Sequence, residues 1–252
     1  MSLENPDPRF APAPGPKPAD WVIGGIEGFV SGVGSVVPNG FAAYARIFHP
    51  ALRHEGVEDG EREVGWAAVA TANGMVLHAE AQFRALVGEP RHDEGAQPGL
   101  WDELPMEGSL PPRLSGQLVD VLCRHTATPN RCWFGVWDGY GCSPFDAGTV
   151  PTFDLPNRRY LLLTGTAVGG AHSVCDPPLT QSPNLWWPED HAWFLATEID
   201  FNSTYIGGSS ECIKEIVSNP GFEALPVNVT DGITWESDRL NLRPTAGTDR
   251  QL

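Results

Sequence analysis

The chain has 252 residues, of which 41% are hydrophobic and 10% aromatic, a composition that excludes a disordered chain. Sixteen basic and 32 acidic side chains give a formal net charge of −16 at pH 7 with histidine neutral. Because nucleic acids and anionic lipids are bound mainly through cationic side chains, we expect no nucleic-acid partner and no membrane partner. A partner should instead be a basic protein or a small ligand.

The first twenty residues hold six prolines between Pro6 and Pro18, which predicts a Pro-rich extended tail over residues 1–20 without helix or strand. Residues 21–252 are expected to form a single α+β domain, because no long polar linker interrupts them. The apolar run from Trp21 to Val37 contains Glu27 and five glycines, so it is a poor membrane span.

Alternating apolar residues predict strands at residues 42–48, 61–65, 131–137, 158–165, 193–201 and 224–229. Helical spacing predicts helices at residues 113–126 and 209–218, the second capped by Ser209, and helical pieces over residues 66–87 broken at Asn73 and Gly74. Strands and helices alternate too irregularly for βαβ units. The pattern therefore predicts a loop-rich α+β fold, with a mostly antiparallel sheet and a few helices packed on one face.

Glu198 and Asp200 are the first candidate site residues. On the predicted strand 193–201 they point to the same side, roughly 6.5–7 Å apart. One interpretation is a divalent-metal site in a metal-assisted hydrolase that uses both carboxylates. The other is structural, with the acids hydrogen-bonded to backbone donors of a turn at residues 202–208. We favour the structural interpretation, because no third carboxylate or neighbouring histidine completes a recognisable site.

Tryptophans beside carboxylates form the second candidate site. Trp186 and Trp187 lie in a predicted loop bounded by prolines, with Glu189 and Asp190 following and Asp138 in another Trp-rich segment. Exposed tryptophan rings supply apolar contact area and stack on arginine, so these residues predict a binding surface for a basic partner. The alternative is that Trp186 and Trp187 are structural and fill the core. The preferred function is a non-catalytic acidic binding protein, either a ligand-binding module or an inhibitor of the immunity type.

The cysteine pattern bears on redox compartment and on zinc. Five cysteines cannot all pair, and no charged and apolar leader precedes them, so we expect a cytoplasmic protein. Cys123, His125, Cys132 and Cys142 lack the paired spacing of a structural zinc site, which favours buried thiols. The sequence also lacks nucleophile-elbow, zinc-protease, P-loop and dinucleotide-binding motifs. No cofactor is therefore expected, and whether the protein is an enzyme stays open.

Three segments carry a family resemblance: HTATPNRCWFGVWDGYG at residues 125–141, RRYLLLTG at 158–165 and WWPEDHAWFLATEIDFNSTYIGGS at 186–209. From about Gly40 onward the chain resembles a family of actinobacterial proteins whose activity is uncharacterised. The resemblance implies no activity, cofactor or site residue. Fourteen Arg against two Lys agree with a high-GC genome.

Overall fold

The computed structural model describes residues 10–28, 32–56, 60–87 and 96–241. The chain divides into two compact units. The first comprises residues 1–49 and 105–231, and the second comprises residues 50–104 and 232–252. That residues 21–252 form a single domain stays a prediction.

Eleven strands form within the described ranges. They are β1 (Ala11–Pro12), β2 (Ala43–Phe48), β3 (Ala51–His54), β4 (Glu61–Val64), β5 (Cys132–Trp137), β6 (Thr152–Leu155), β7 (Arg158–Gly165), β8 (Leu185–Pro188), β9 (Trp193–Ala196), β10 (Ser203–Gly208) and β11 (Ala224–Val227). The first unit holds a nine-stranded sheet in the order β1-β7-β5-β8-β9-β10-β2-β11, with β6 also paired to β7. Every pair in it is antiparallel. The predicted α+β class with a mostly antiparallel sheet is confirmed.

Five α-helices accompany these strands in the described part of the chain: α1 (Asp20–Gly25), α2 (Trp66–Asn73), α3 (Phe83–Val87), α4 (Pro112–Leu122) and α5 (Ser210–Ser218). The predicted cap of α5 is confirmed, because the Ser209 side chain accepts a hydrogen bond from the Cys212 amide. Gly74 ends α2 in the left-handed conformation that glycine adopts without strain, so the predicted break is confirmed. None of the described helices has the length and apolarity needed to cross a membrane.

Helices α4 and α5 cover one face of the nine-stranded sheet. The apolar side chains of both helices and of six strands form one buried core, which includes Leu114, Leu118, Leu122, Ile213, Ile216, Ala45, Ile47, Phe134, Val136, Leu161, Leu163, Trp186, Trp193, Leu195 and Ile206. The Trp193 indole donates to the Leu122 carbonyl over 3.1 Å and so ties the end of α4 to β9. Burial of these side chains against one sheet face supplies the main stabilisation of the unit.

An aromatic layer covers part of the opposite face. Trp187 and Phe194 stack with ring centroids 5.6 Å apart, and Phe153 stacks on Tyr160 at 5.5 Å. Trp21 of α1 closes this layer with an edge contact to Phe194 at 5.7 Å. The first unit is therefore packed on two faces, which explains why its central strands are almost continuously buried.

The second unit contains the β3–β4 hairpin, α2 and α3. Its core includes Phe83 between Trp66 and Trp101, with ring centroids at 5.2 and 5.4 Å. Asp238, whose side chain is fully buried, joins residues 78–82 to residues 238–241. It accepts hydrogen bonds from the His78 ring, the Gln82 amide and the Asn241 amide.

The predicted Pro-rich tail is packed against the sheet over its described part. Residues 1–9 lie outside the described residues. Phe10 is buried with its ring edge-on to Phe134 at 5.2 Å, Ala11–Pro12 pair with β7, and Lys17–Ala19 form a 3₁₀ turn. The expectation that no helix or strand precedes residue 21 is wrong for residues 10–20, because burial of Phe10 and pairing with β7 hold this segment on the sheet.

Two further predictions of local structure need correction. The strand predicted over residues 193–201 ends at Ala196, and residues 202–208, predicted as a turn, are mostly the buried strand β10. Residues 186–187, predicted as a loop, belong to the buried strand β8. Glycine, serine and proline disfavour strands in isolation, but pairing with two neighbouring strands overrides this local preference.

Candidate functional site

Glu198 and Asp200 lie in an acidic loop, defined here as residues 197–202, which connects β9 to β10. Both carboxylates contact the guanidinium of Arg158, at the start of β7. Arg158 Nε and Nη2 donate to the two oxygens of Glu198 over 3.3 Å, and Nη2 also donates to Asp200 over 2.7 Å. The Tyr160 hydroxyl donates to Glu198 over 3.2 Å. A cation of the protein itself therefore joins the two candidate ligands.

The exposure of the two carboxylates differs and limits which ligands each can bind. The Glu198 side chain is 15% exposed and that of Asp200 is 69% exposed. Burial, followed by the charge of Glu198, raises the pKa of Tyr160 far above its ordinary value, so this phenol stays a hydrogen-bond donor. A divalent cation at the pair would have to displace Arg158 or face its positive charge. The geometry fits an internal ion pair better than a metal site.

The structural interpretation of this pair needs one correction of detail. The expected donors were backbone groups of residues 202–208, whereas the donors to the side chains are Arg158 and Tyr160 of β7. The loop backbone closes on itself through the Phe201 amide, which donates to the Glu198 carbonyl over 3.0 Å. Strand β7 is 33 or more residues earlier in the chain, so local sequence did not indicate these donors.

A buried polar network lies near the acidic loop. The amide nitrogen of Asn184, a fully buried residue, donates to the Thr197 carbonyl over 3.1 Å and to the Tyr140 hydroxyl over 3.0 Å. Tyr140 in turn donates to the Gly108 carbonyl over 3.1 Å. Burial, reinforced by the charges of Glu198 and Asp200, raises the pKa of Tyr140. These contacts satisfy buried polar groups within the fold.

His49, the residue directly after β2, lies in the same region as the acidic loop. It is fully buried, its Nδ1 lies 2.7 Å from the Met106 carbonyl and its Nε2 lies 2.9 Å from Thr204 Oγ1. A carbonyl only accepts, so Nδ1 carries the proton and Nε2 accepts from the Thr204 hydroxyl. Burial lowers the pKa of His49 to about 4, with the charge of Arg46 acting in the same direction. The ring is neutral at pH 7 and buried, which makes it structural.

Trp186 and Trp187 are not available to a partner. They are 1% and 0% exposed, the first in the core under α4 and the second in the aromatic layer. The prediction of a surface built on these two rings is wrong. Two prolines around a Trp pair suggested a loop, but β8 pairs with both β5 and β9, and central strands of a covered sheet bury both of their faces.

The three acids predicted to accompany those tryptophans have different contacts and do not form one group. Glu189 forms an ion pair with Arg131. Asp190 accepts from the Thr126 hydroxyl over 2.8 Å and the Ala127 amide over 2.7 Å. Burial alone raises the pKa of Asp190, but these hydrogen bonds outweigh it and leave the pKa below its ordinary value. Asp138 is an exposed residue after β5. The structure therefore does not bring these acids together around an exposed ring.

The cysteines follow the thiol prediction in part. Cys132 and Cys212 are buried, and burial raises the pKa of each to about 12, so both thiols are unreactive. Cys142 forms a disulfide with Cys175, which removes it from any zinc set with Cys123 and Cys132. The two cysteines are 33 residues apart in sequence, a spacing that does not reveal the pairing.

Trp235 was not predicted as a site residue, yet it is the most exposed large hydrophobic residue described, at 78%. It lies in a tryptophan turn, defined here as residues 234–237. The Ser237 amide donates to the Thr234 carbonyl over 2.9 Å, and the Thr234 amide donates to Ser237 Oγ over 3.0 Å. Gly232 permits this turn, because a Cβ there would lie 2.3 Å from Ser237 Oγ. The backbone is closed by local hydrogen bonds while the indole faces solvent.

The available signal for Trp235 was its setting, a single large aromatic residue within the polar stretch TWESDR. The tryptophan-rich segments were chosen instead, but segments rich in large aromatic side chains tend to be buried in the core.

Comparison of the chain with protein-family models, curated proteins and solved structures gives no match.

Proposed function

We propose that the protein is a non-catalytic acidic binding protein whose partner is a basic protein, and that Trp235 is the anchor of the contact. The observation that carries this proposal is the 78% exposure of Trp235 on a turn closed by hydrogen bonds. Because the hydrogen bonds already fix the backbone of this turn, little backbone entropy is lost when a partner covers the indole. Tryptophan is also among the residues most often found to dominate binding energy at interfaces.

Charge completes the recognition surface. Glu236 is exposed beside Trp235, and the chain as a whole carries a net charge of −16. Such a field accelerates encounter with a basic partner, and arginine side chains of that partner can stack on the indole. Association should therefore slow as salt shortens the reach of the field. An inhibitor or immunity role toward a basic toxin or nuclease is one form of this function.

The alternative of a metal-assisted hydrolase at Glu198 and Asp200 has less support. Both carboxylates bind Arg158, and the less exposed one also accepts from Tyr160. A hydrolytic site needs open coordination positions at the metal and a group that activates water. The contacts of Glu198 and Asp200 supply neither.

The experiment compares proteins captured from a lysate by the wild-type chain, by Trp235→Ala and by Leu179→Ala. Leu179 is 56% exposed in the other unit and serves as the matched control for loss of an exposed apolar side chain. We expect a basic protein that is retained by wild type and Leu179→Ala, lost with Trp235→Ala and released by added salt. Equal capture by all three chains, or capture of acidic proteins only, would contradict the proposal.

We also propose a cytoplasmic location in an actinobacterial host. The thiols of Cys123, Cys132 and Cys212 support a reducing compartment, whereas the Cys142–Cys175 disulfide favours an oxidising one. Alkylation under denaturing conditions, directly after lysis of the native host, separates the two. Five alkylated cysteines fit the cytoplasm, and three alkylated cysteines with one protected pair rule against it.

A further inference from the structure

Three side chains of the second unit present metal-binding atoms to one another. They are His54 at the end of β3, Glu61 at the start of β4 and Glu103. One ligand atom from each lies within 4.8 Å of the other two. His54 Nε2 is 3.0 Å from Glu103, and its Nδ1 is 4.0 Å from Glu61. All three side chains are about half exposed, so a cation can reach them from solvent.

The backbone holds these three residues together independently of their side chains. His54 and Glu61 are direct cross-strand partners in the β3–β4 ladder. The Glu103 amide donates to the Leu52 carbonyl over 3.0 Å, which places residue 103 beside β3. The Asp102 carboxylate also accepts from the His54 amide over 2.8 Å. Three chain segments thus converge through main-chain contacts, so the ligand atoms start close to a common centre.

Within the described part of the chain, the charge of the group is incompletely balanced. A protonated imidazole neutralises one of the two carboxylates, and a neutral imidazole neutralises neither. The two nearby arginines are engaged elsewhere, Arg62 with Glu55 and Arg53 with the Gly99 carbonyl over 2.8 Å. This differs from the acidic loop, where Arg158 lies directly between the carboxylates. A divalent cation would supply the positive charge that the described residues around this group do not.

We infer that His54, Glu61 and Glu103 form a zinc-binding site. An imidazole with two carboxylates suits borderline cations such as Zn²⁺, whereas Mg²⁺ and Ca²⁺ prefer sites made of oxygen alone. Zinc places nitrogen and oxygen ligands roughly 2.0–2.2 Å away in a tetrahedron, which small rotations of these side chains can provide. Water fills the fourth position at this exposed edge. The bound ion joins β3, β4 and residue 103, and so strengthens the hairpin.

Calorimetric titration of the full chain with Zn²⁺, and separately with Mg²⁺, tests this site. The variants are His54→Ala and Glu103→Gln, with Glu236→Gln as the matched control, because it removes an exposed carboxylate from the same unit outside the ligand set. Far-UV circular dichroism shows that each variant is folded. The two ligand variants provide independent readings in case one of them unfolds.

We expect one equivalent of Zn²⁺ to bind wild type and Glu236→Gln, more tightly than Mg²⁺, and to raise the melting temperature of both. Zinc affinity should fall at least about 10-fold in His54→Ala and in Glu103→Gln. The site is refuted if wild type does not bind Zn²⁺, if Mg²⁺ binds equally well, or if the affinity is unchanged in a folded ligand variant. The result is independent of whether Trp235 anchors a partner.

Discussion

The acidic loop and the tryptophan turn differ in what the fold leaves available. In the acidic loop, Arg158 and Tyr160 occupy the carboxylates of Glu198 and Asp200. In the tryptophan turn, hydrogen bonds occupy the backbone, and the side chain of Trp235 is 78% exposed. The sequence of the acidic loop suggests a catalytic or metal site, whereas that of the tryptophan turn does not. A candidate site therefore requires side chains that are not already engaged in contacts within the fold.

The largest expected effect tests the base of the tryptophan turn. Asp238→Ala removes a buried carboxylate and leaves the Gln82 amide and the Asn241 side chain without their acceptor. We expect a loss of about 3–5 kcal/mol in the free energy of unfolding, measured by urea denaturation. Glu236→Ala at the exposed tip is the control, with a change within about 0.5 kcal/mol. Equal stability of the two variants would show that Asp238 does not hold this region.

The same carboxyl gives a pH dependence of known sign. Burial by itself raises the pKa of Asp238, but hydrogen bonds from Asn241, Gln82 and His78 outweigh it and lower the pKa below 3.8. The stabilisation is therefore present above the ordinary pKa of aspartate and is lost as pH falls through the lowered value. Asp238→Ala should lack this component of acid unfolding.

A second prediction concerns His49, which supports the acidic loop by donating its backbone amide to the Asn202 carbonyl over 3.1 Å. Its pKa is about 4 in the folded protein against 6.5 ordinarily, so the unfolded chain takes up the proton first as pH falls. Stability should decrease between pH 6.5 and 4 by about 3 kcal/mol and change little from this group above pH 6.5. Urea denaturation across that range checks it.

The control for this pH effect is His49→Gln, which can donate and accept hydrogen bonds but does not titrate. Its stability should depend less on pH between 6.5 and 4 than that of wild type. Parallel pH profiles for the two proteins would mean that other groups cause the loss.

A third prediction tests the ion pair of the acidic loop. Arg158→Met leaves the largely buried Glu198 carboxylate without its cation, and we expect a loss of about 1–3 kcal/mol in the free energy of unfolding. Glu198→Gln/Asp200→Asn should likewise lower the melting temperature, with no shift from Mg²⁺ or Ca²⁺ that depends on these residues. Arg159→Met is the control, because Arg159 and its partner Asp154 are 57% and 68% exposed and such pairs contribute little. An unchanged or higher melting temperature, with loss of a wild-type metal shift, would restore the metal interpretation.

The smallest expected effect on stability belongs to Trp235→Ala, within about 0.5 kcal/mol, since the ring is exposed. The substitution should still remove the indole most accessible to a neutral quencher such as acrylamide. Fluorescence quenching of wild type and variant measures this directly. A large loss of stability, or identical quenching, would show that the indole is covered and would contradict the proposal that it anchors a partner.

Several elements followed from the sequence because their signals are local. Alternation placed strands at residues 42–48, 131–137 and 158–165, and all three are strands of the main sheet. The apolar spacing of residues 113–126 and the cap at Ser209 marked the two long helices. These signals depend on side-chain periodicity and capping within a few residues, and such patterns are legible without knowledge of the tertiary fold.

Sites were less predictable because they depend on distant partners. Trp186 and Trp187 were expected at the surface, and pairing of β8 with β5 and β9 buries them. Glu198 and Asp200 were expected on a strand, and their donors come from β7. Neither burial of a strand on both faces nor a contact between segments about 40 residues apart is visible in a local pattern.

The α+β class, the acidic charge and the main helices and strands can be predicted from the sequence, since they depend on composition and on contacts between near neighbours. Only the tertiary structure shows which side chains are engaged by other residues and which are exposed to solvent. Arg158 reaches Glu198 and Asp200, whereas Trp235 stays in solvent, because strand pairing and core burial set the neighbours of each side chain. Those neighbours are chosen by packing over the whole chain, and packing is a property that no short segment carries.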